Sequence, residues 1–461
     1  MRLAHPLALF ATMLLQASLP TLAAADPATA FTLANGLEVV VLPDHRLPIV
    51  THVVYYRAGS ADDPPGNSGI AHYLEHLMFK GTPRFPAGQY DLIVTRAGGT
   101  NNAYTSADKT YYYEQLLKDG LPKIMELDAD RMAGLDFPPA EAENELKVVL
   151  EERRGFDNDP ESVLAAMTGR ALYGTAPYAH PVLGDWAETG KLTLAAALAF
   201  HASHYAPGNA ILVVAGDTTP ETVRGMAEAT YGRLPAGPPQ PSRAWANAPP
   251  PCPEGRIEER HQRVARDKAS VYFLTPGASG MGVRTAAALR LLAGILEDQG
   301  TSPLWRDLAA RQGLIGGLSV SHDLRLAAGE FAVTVEAEAG VSAAQLERAL
   351  RDALAELRRT GIDPAALAEA KRHWLADRLL NADNQLGEAT RYGEQLAIGR
   401  SVGEIENEPK AIAAVTLPDV NAVLRDFLSN RCFLTALLEG TGAPAEGAAR
   451  AAPTHSTTTV H

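Results

Sequence analysis

Five consecutive residues, His72-Tyr73-Leu74-Glu75-His76, carry the side chains with the clearest chemistry in this 461-residue chain. On a helix, residues three and four apart share a face. His72 and His76 would therefore present two imidazoles to one point, with the Glu75 carboxylate beside them. Two imidazoles suit a zinc ion, and a carboxylate next to the ion can take the proton of an attacking water. Catalytic zinc normally has three protein ligands. The chain has two cysteines, too few for a Cys-rich site, so the third donor is sought among carboxylates. The run from Glu141 to Glu152 supplies them. Glu145 and Glu152 are seven residues apart, two turns along one helical face, whereas Glu151 points about 100° away. One of the pair can reach the metal while the other orients a ligating histidine, and spacing alone does not choose between them. Glu141 and Glu143 read as a solvated face.

Three separated segments extend the pattern: GNSGIAHYLEHLMFKGT at 66–82, GGTNNAYT at 98–105 and KVVLEE at 147–152. The order His-x-x-Glu-His is the inverted zinc motif. Together the segments resemble the pitrilysin (insulysin) family of zinc peptidases, especially its mitochondrial processing peptidase-like branch. The resemblance implies an α+β fold of two homologous tandem domains, each a mostly antiparallel sheet packed against helices, joined by a Pro-rich linker. It implies one Zn2+ held by His72, His76 and Glu152, with Glu75 as general base and Glu145 as the acid that orients a ligand. It places Asn102, Ala103 and Tyr104 along the substrate backbone, where a peptide would add as a strand to the sheet edge. The reaction implied is endoproteolysis of short or unfolded peptides inside a closed chamber.

The chain departs from that family in one respect. Members usually carry an arginine and, seven residues later, a tyrosine that help hold the substrate and its developing oxyanion. Aligned on Gly313-Leu314, those positions are Ala309 and Gly316, with Arg306 and Arg311 displaced from the aligned place. Losing one transition-state donor costs about 3 kcal/mol, or about a hundredfold in rate. The expectation that follows is a heterodimer with a same-fold chain that lacks the His-x-x-Glu-His run and supplies the Arg/Tyr pair. The alternative is a non-catalytic peptide-binding or assembly subunit of the same fold, for which an intact Glu75 has no use.

The elements that must hold these residues follow from periodicity and punctuation. Helices read over 70–79, 87–97, 122–133, 139–153 and 220–231, and extended segments over 36–60, 103–116 and 211–215. Between Pro235 and Pro253 stand eight prolines, which no continuous helix or central strand accepts. Beyond them, strands read over 269–274 and 329–338 and helices over 281–297 and 343–360. The order repeats at an offset of roughly 215 residues, the mark of internal duplication. The division expected is a signal peptide at 1–25, a zinc-binding peptidase domain at 26–234, a linker at 235–253, a homologous domain without metal at 254–439, and a flexible tail at 440–461.

Composition bounds the remaining choices. Hydrophobic residues make up 46% of the chain and charged residues 21%, enough to build a buried core. A net charge of −13 argues against a nucleic-acid or anionic-membrane surface. Arg2, the apolar run Leu7–Leu15 and Ala23-Ala24-Ala25 form a secretory signal pattern, which points to the periplasm or secretion. No later segment is long and apolar enough to cross a bilayer as a helix. In an oxidising compartment Cys252 and Cys432 could pair and tie the two ends of the second half; two separate buried thiols are the alternative. His201 and His204, three apart, lack an acidic third ligand nearby. His180 reads as part of a structural loop, and Trp186 as core.

Overall fold

Val39-Val40-Val41 and the run Ile49 to Tyr56 place β-branched and aromatic side chains at nearly every position, the pattern of strands covered on both faces. The computed structural model, which describes residues 27–241, 243–429 and 431–441, shows what covers them. The expected signal peptide at 1–25 and residues 442–461 of the expected tail lie outside the described residues.

The first sheet contains β1 (Thr29–Thr32), β2 (Glu38–Pro43), β3 (Ile49–Tyr56), β4 (Thr100–Thr105), β5 (Thr110–Leu117) and β6 (Ala210–Gly216), in the order β1-β2-β6-β3-β5-β4. The second contains β7 (Glu254–His261), β8 (Lys268–Pro276), β9 (Ile315–Leu324), β10 (Ala328–Ala337) and β11 (Phe433–Gly440), in the order β7-β11-β8-β10-β9. In each sheet one pair is parallel, β2 with β6 and β7 with β11, and every other pairing is antiparallel. Five strands of the first sheet thus recur in the same order and sense in the second. The chain is two tandem α+β domains built on one plan. The segment 103–116, read from sequence as continuously extended, is a hairpin instead: β4 and β5 turn at Ser106–Lys109, where Ser106 N donates to Lys109 O.

Each half also covers the other. The helix Gln385–Ala397 belongs to the second half in sequence, yet its Ala389, Tyr392 and Leu396 pack on Val53, Tyr55 and Val213 of the first sheet. Its Gly393 lies so close to the sheet that a Cβ there would stand 1.9 Å from the Tyr55 ring. Reciprocally, the helix Pro160–Tyr173 sets Leu164 against Ala436 and Leu438 of β11. The face of each sheet not covered by its own helices is therefore covered by a helix from the other half.

A disulfide and a buried charge network complete the frame. Cys252 and Cys432, whose pairing the sequence left open, form a disulfide with Cα atoms 4.7 Å apart, just ahead of the parallel neighbours β7 and β11. In the first half, His52 on β3, Glu114 on β5 and Asp128 and Arg131 on the helix Leu121–Ala133 form a fully buried charge network. Trp186 is 41% exposed, its indole N–H bonded to Asp157, so it caps the surface and is not core. Among the described residues no helix is long and apolar enough to cross a membrane.

Candidate metal centre

The helix Ile70–Leu77 buries Ile70, Ala71, Tyr73, Leu74 and Leu77, which leaves His72, Glu75 and His76 on one side. Its start is fixed tightly. Gly69 adopts φ +91°, and a Cβ there would lie 2.9 Å from Leu183 O, so glycine is required. The Gly69 and Ala71 N–H groups both donate to the Asp63 carboxylate, at 2.6 and 3.1 Å, which satisfies donors that a helix N-terminus leaves free. Tyr73 Oη donates to Ala142 O at 2.7 Å and locks this helix to the acidic helix Pro139–Asp157.

On the acidic helix, Ala142, Glu145, Val149 and Arg153 face inward. Glu151 points to solvent and pairs with Arg154, as its 100° offset requires. The geometry separates the two candidates that spacing could not. Glu152 Oε2 lies 3.4 Å from His76 Nε2 and 3.7 Å from His72 Nε2. Glu145 Oε1 instead accepts from His76 Nδ1 at 2.8 Å, and its Oε2 pairs with Lys80 Nζ. Glu75 Oε2 accepts from the Thr105 hydroxyl at the end of β4.

The electrostatics fit a cation at the centre. Burial, with the neighbouring His76, lowers the His72 pKa to about 4, so its imidazole is neutral near pH 7. Burial acts the same way on His76, but its bonds to Glu145 and Glu152 carry the pKa up to about 9. Burial works against ionisation of Glu145 and Glu152, yet the contacts with His76, and with Lys80 for Glu145, hold both below the usual carboxylate range. Burial raises Glu75 to about 7, partly offset by the Thr105 hydrogen bond. One ligand atom each from His72, His76 and Glu152 lies within 4.8 Å of the other two. Two imidazoles and one carboxylate on one point make the donor set of a catalytic zinc, and His76 Nε2 and His72 Nε2, 3.4 and 3.7 Å from Glu152 Oε2, face with it the point where a cation would stand. The residues fit a single zinc ion.

His52, Glu114 and Asp128 converge within the same limit. There the positive charge is already supplied by the Arg131 guanidinium, 2.7 Å from Asp128 and 3.3 Å from Glu114, so this network holds β3 and β5 to their helix. The pair His201 and His204 is buried and bonds backbone carbonyls of Arg131 and Phe200. His180 sits in a loop, paired with Asp185 at 2.8 Å.

Asn102, Ala103 and Tyr104 lie on β4, the edge strand on the side of the first sheet nearest the site. At the positions of the absent arginine and tyrosine, Ala309 packs on the second core, and the place of a side chain on Gly316 is filled by Arg266 Nη1 and Glu338 Oε1, each 2.8 Å from an added Cβ. Sequence reasoning missed Asp63, Lys80 and Thr105 as parts of the site. Lys80 had a usable signal, since it stands four residues after His76; Asp63 and Thr105 reach the site through loop and hairpin geometry.

Comparison with known proteins bears on the same residues. Residues 38–185 match the family described as Insulinase (Peptidase family M16), and residues 191–373 match the Peptidase M16 inactive domain. An uncharacterized zinc protease of Mycobacterium tuberculosis is 31% identical over 429 residues, 90% of this chain and 94% of that protein. The zinc protease PqqE of Helicobacter pylori is 38% identical over 205 residues, 44% of this chain and 46% of that protein. Among solved structures, a protease from Helicobacter pylori superposes with a TM-score of 0.82 at 26% identity, covering 89% of this chain and 99% of its own. The periplasmic protease PqqL of Escherichia coli superposes with a TM-score of 0.76 at 18% identity over 90% of this chain and 48% of its own. These matches correct the expected heterodimer: the catalytic and the inactive domain are both present in this one chain. The missing Arg/Tyr pair misled because the loss of two side chains was read as the need for a second chain to supply them.

Proposed function

The chain belongs to peptidase family M16, the insulinase family of zinc metalloendopeptidases, and on that footing we propose that His72, His76 and Glu152 are its zinc ligands and Glu75 its general base. The observation that carries this reading is the convergence of the three ligand atoms beside a buried carboxylate. Bound there, zinc supplies the Lewis acidity that activates water and polarises a carbonyl. Glu75 takes the proton of the attacking water and later returns it to the leaving amine. A carboxyl group whose pKa burial has brought toward neutrality suits both transfers. Thr105 holds Glu75 Oε2, which leaves Oε1 to move the proton. Glu145 fixes the His76 ring through Nδ1, so that Nε2 faces the metal.

The substrate backbone adds to the free edge of β4 along Asn102, Ala103 and Tyr104, as an extended strand. A peptide must be short or unfolded to lie there, within an enclosed space between the two halves. The signal pattern of the first 25 residues, together with the periplasmic setting of the structurally similar PqqL, supports export to the periplasm or beyond. Quenched peptides test the reading: the zinc-loaded chain should hydrolyse them, and Glu75→Gln should keep its zinc and lose turnover. Hydrolysis that survives E75Q would refute the assignment.

A further inference from the structure

The tip of the β4–β5 hairpin carries a buried carboxylate for which the metal centre has no use. Asp108 is 3% exposed and makes no ion pair among the described residues; its partners are neutral donors. Oδ1 accepts from Tyr178 Oη at 2.6 Å and Oδ2 from Leu326 N at 3.0 Å. The Tyr178 hydroxyl in turn accepts from Ala327 N at 3.1 Å. Leu326 and Ala327 form the turn between β9 and β10, in the half without metal. Two of its N–H groups thus end, directly or through Tyr178, on one side chain of the first half. The Pro-rich linker grips the same tip from another side: Arg243 Nη2 donates to Asp108 O at 2.9 Å, and its Nε to Asp62 Oδ1 at 2.8 Å.

This tip is bonded to the chemistry by two routes. Thr105, the last residue of β4, donates to Glu75 Oε2. On the other side of the turn, Ser106 O and Ala107 O accept from Ser60 N and Ala61 N at 3.0 and 2.9 Å. That segment runs into Asp63, whose carboxylate holds the start of the helix bearing His72, Glu75 and His76. An ionised carboxylate is costly to bury unless it is well bonded, and bonds to it are stronger than those to a neutral acceptor. A neutral side chain at 108 would hold the tip less firmly.

We propose that Asp108 is a positioning residue for the hydrolysis, and that through it the half without metal sets the geometry of Glu75. The β9–β10 turn holds Asp108, Asp108 holds the tip of the hairpin, and the tip holds Thr105 against Glu75. This rests on the peptidase reading and adds to it a task for the second half.

The test begins with Asp108→Asn in the zinc-loaded full chain. The amide keeps the shape but turns an NH2 group toward one of the two donors. D108N should bind zinc within about twofold of wild type and lose about 10- to 100-fold in kcat on quenched peptides, the scale of a misplaced reacting group. Tyr178→Phe, which leaves Asp108 the Leu326 donor, should lose less. A merely structural role would lower Tm and leave kcat of the folded protein unchanged. A double-mutant cycle with Thr105→Val reads the route: in the T105V background D108N should change kcat by less than about twofold, because both variants break one chain of contacts. Should D108N fail to fold, Y178F enters the same cycle. Hydrogen exchange separates this proposal from the reading on which it rests, since D108N should speed exchange over residues 59–63 and 100–117 and leave the central strands β2 and β6 unchanged. If wild type cleaves no peptide but this local loosening appears, the hold on the hairpin stands and the peptidase reading falls. Wild-type kcat in folded D108N, losses that multiply in full in the double variant, or unchanged exchange at the hairpin would each overturn the proposal.

Discussion

Replacing Glu145 with glutamine should weaken zinc binding without touching a ligand. In the protein the two Glu145 oxygens serve two donors, Oε1 the His76 Nδ1–H at 2.8 Å and Oε2 the Lys80 ammonium. A glutamine of the same shape has one oxygen and one NH2 group. Whichever donor the oxygen keeps, the NH2 group then confronts the other, donor against donor. The variant therefore loses the negative charge that makes His76 a stronger base and at least one of the two bonds that fix its ring. Outer partners of this kind are worth about 10–100-fold in metal affinity, or about 1.4–2.8 kcal/mol. Competition with a chromophoric chelator at fixed pH reads the change, with circular dichroism to confirm the fold. Glu143→Gln, on the solvated face of the same helix, is the control and should leave affinity within about twofold. An E145Q protein that is folded and binds zinc within twofold of wild type would refute the argument that Glu145 orients His76.

Other perturbations test the frame. Gly393→Ala places a methyl group inside the Tyr55 ring and should cost about 1–3 kcal/mol or more by overpacking, read as a lower Tm and faster proteolysis. Its Tm should recover in part with Tyr55→Leu. Removing the Cys252–Cys432 bond, which spans 180 residues, should cost about 2–5 kcal/mol, measured by denaturant unfolding of the double serine variant. Glu114→Gln strips one carboxylate from the fully buried Arg131 and should destabilise by about 3–5 kcal/mol, also read in denaturant, while zinc affinity stays unchanged.

The parts of the site legible in the sequence were local. His72, Glu75 and His76 share one helical face by spacing alone, and Glu151 was excluded by its angle. Glu145 and Glu152 were equivalent by the same rule, because two turns of helix return to one face; only the tilt of the acidic helix, set by Tyr73 against Ala142, decides which one meets both Nε2 atoms. Central strands such as β3 and β6 were visible because both of their faces are apolar. The edge strand β9, with Gly316-Gly317, and β7, rich in charge, carry too little apolar alternation to be read. The exchange of helices between halves is a long-range packing choice with no local signal: the helix Gln385–Ala397 looks like any amphipathic helix until Gly393 is seen against Tyr55. Trp186 was misread because a large aromatic residue at a loop can cap a surface through its N–H as well as fill a core.

The central claim is that this single chain hydrolyses peptides through Glu75 beside one zinc held by His72, His76 and Glu152. It is tested most directly by measuring zinc content and peptide turnover together in the purified chain, its E75Q variant and Glu152→Gln. The account predicts one zinc and turnover in the wild type, one zinc and no turnover in E75Q, and loss of both in E152Q. A zinc-loaded wild-type chain that is silent toward the whole peptide library, or an E152Q protein that keeps its zinc with full affinity, would contradict it.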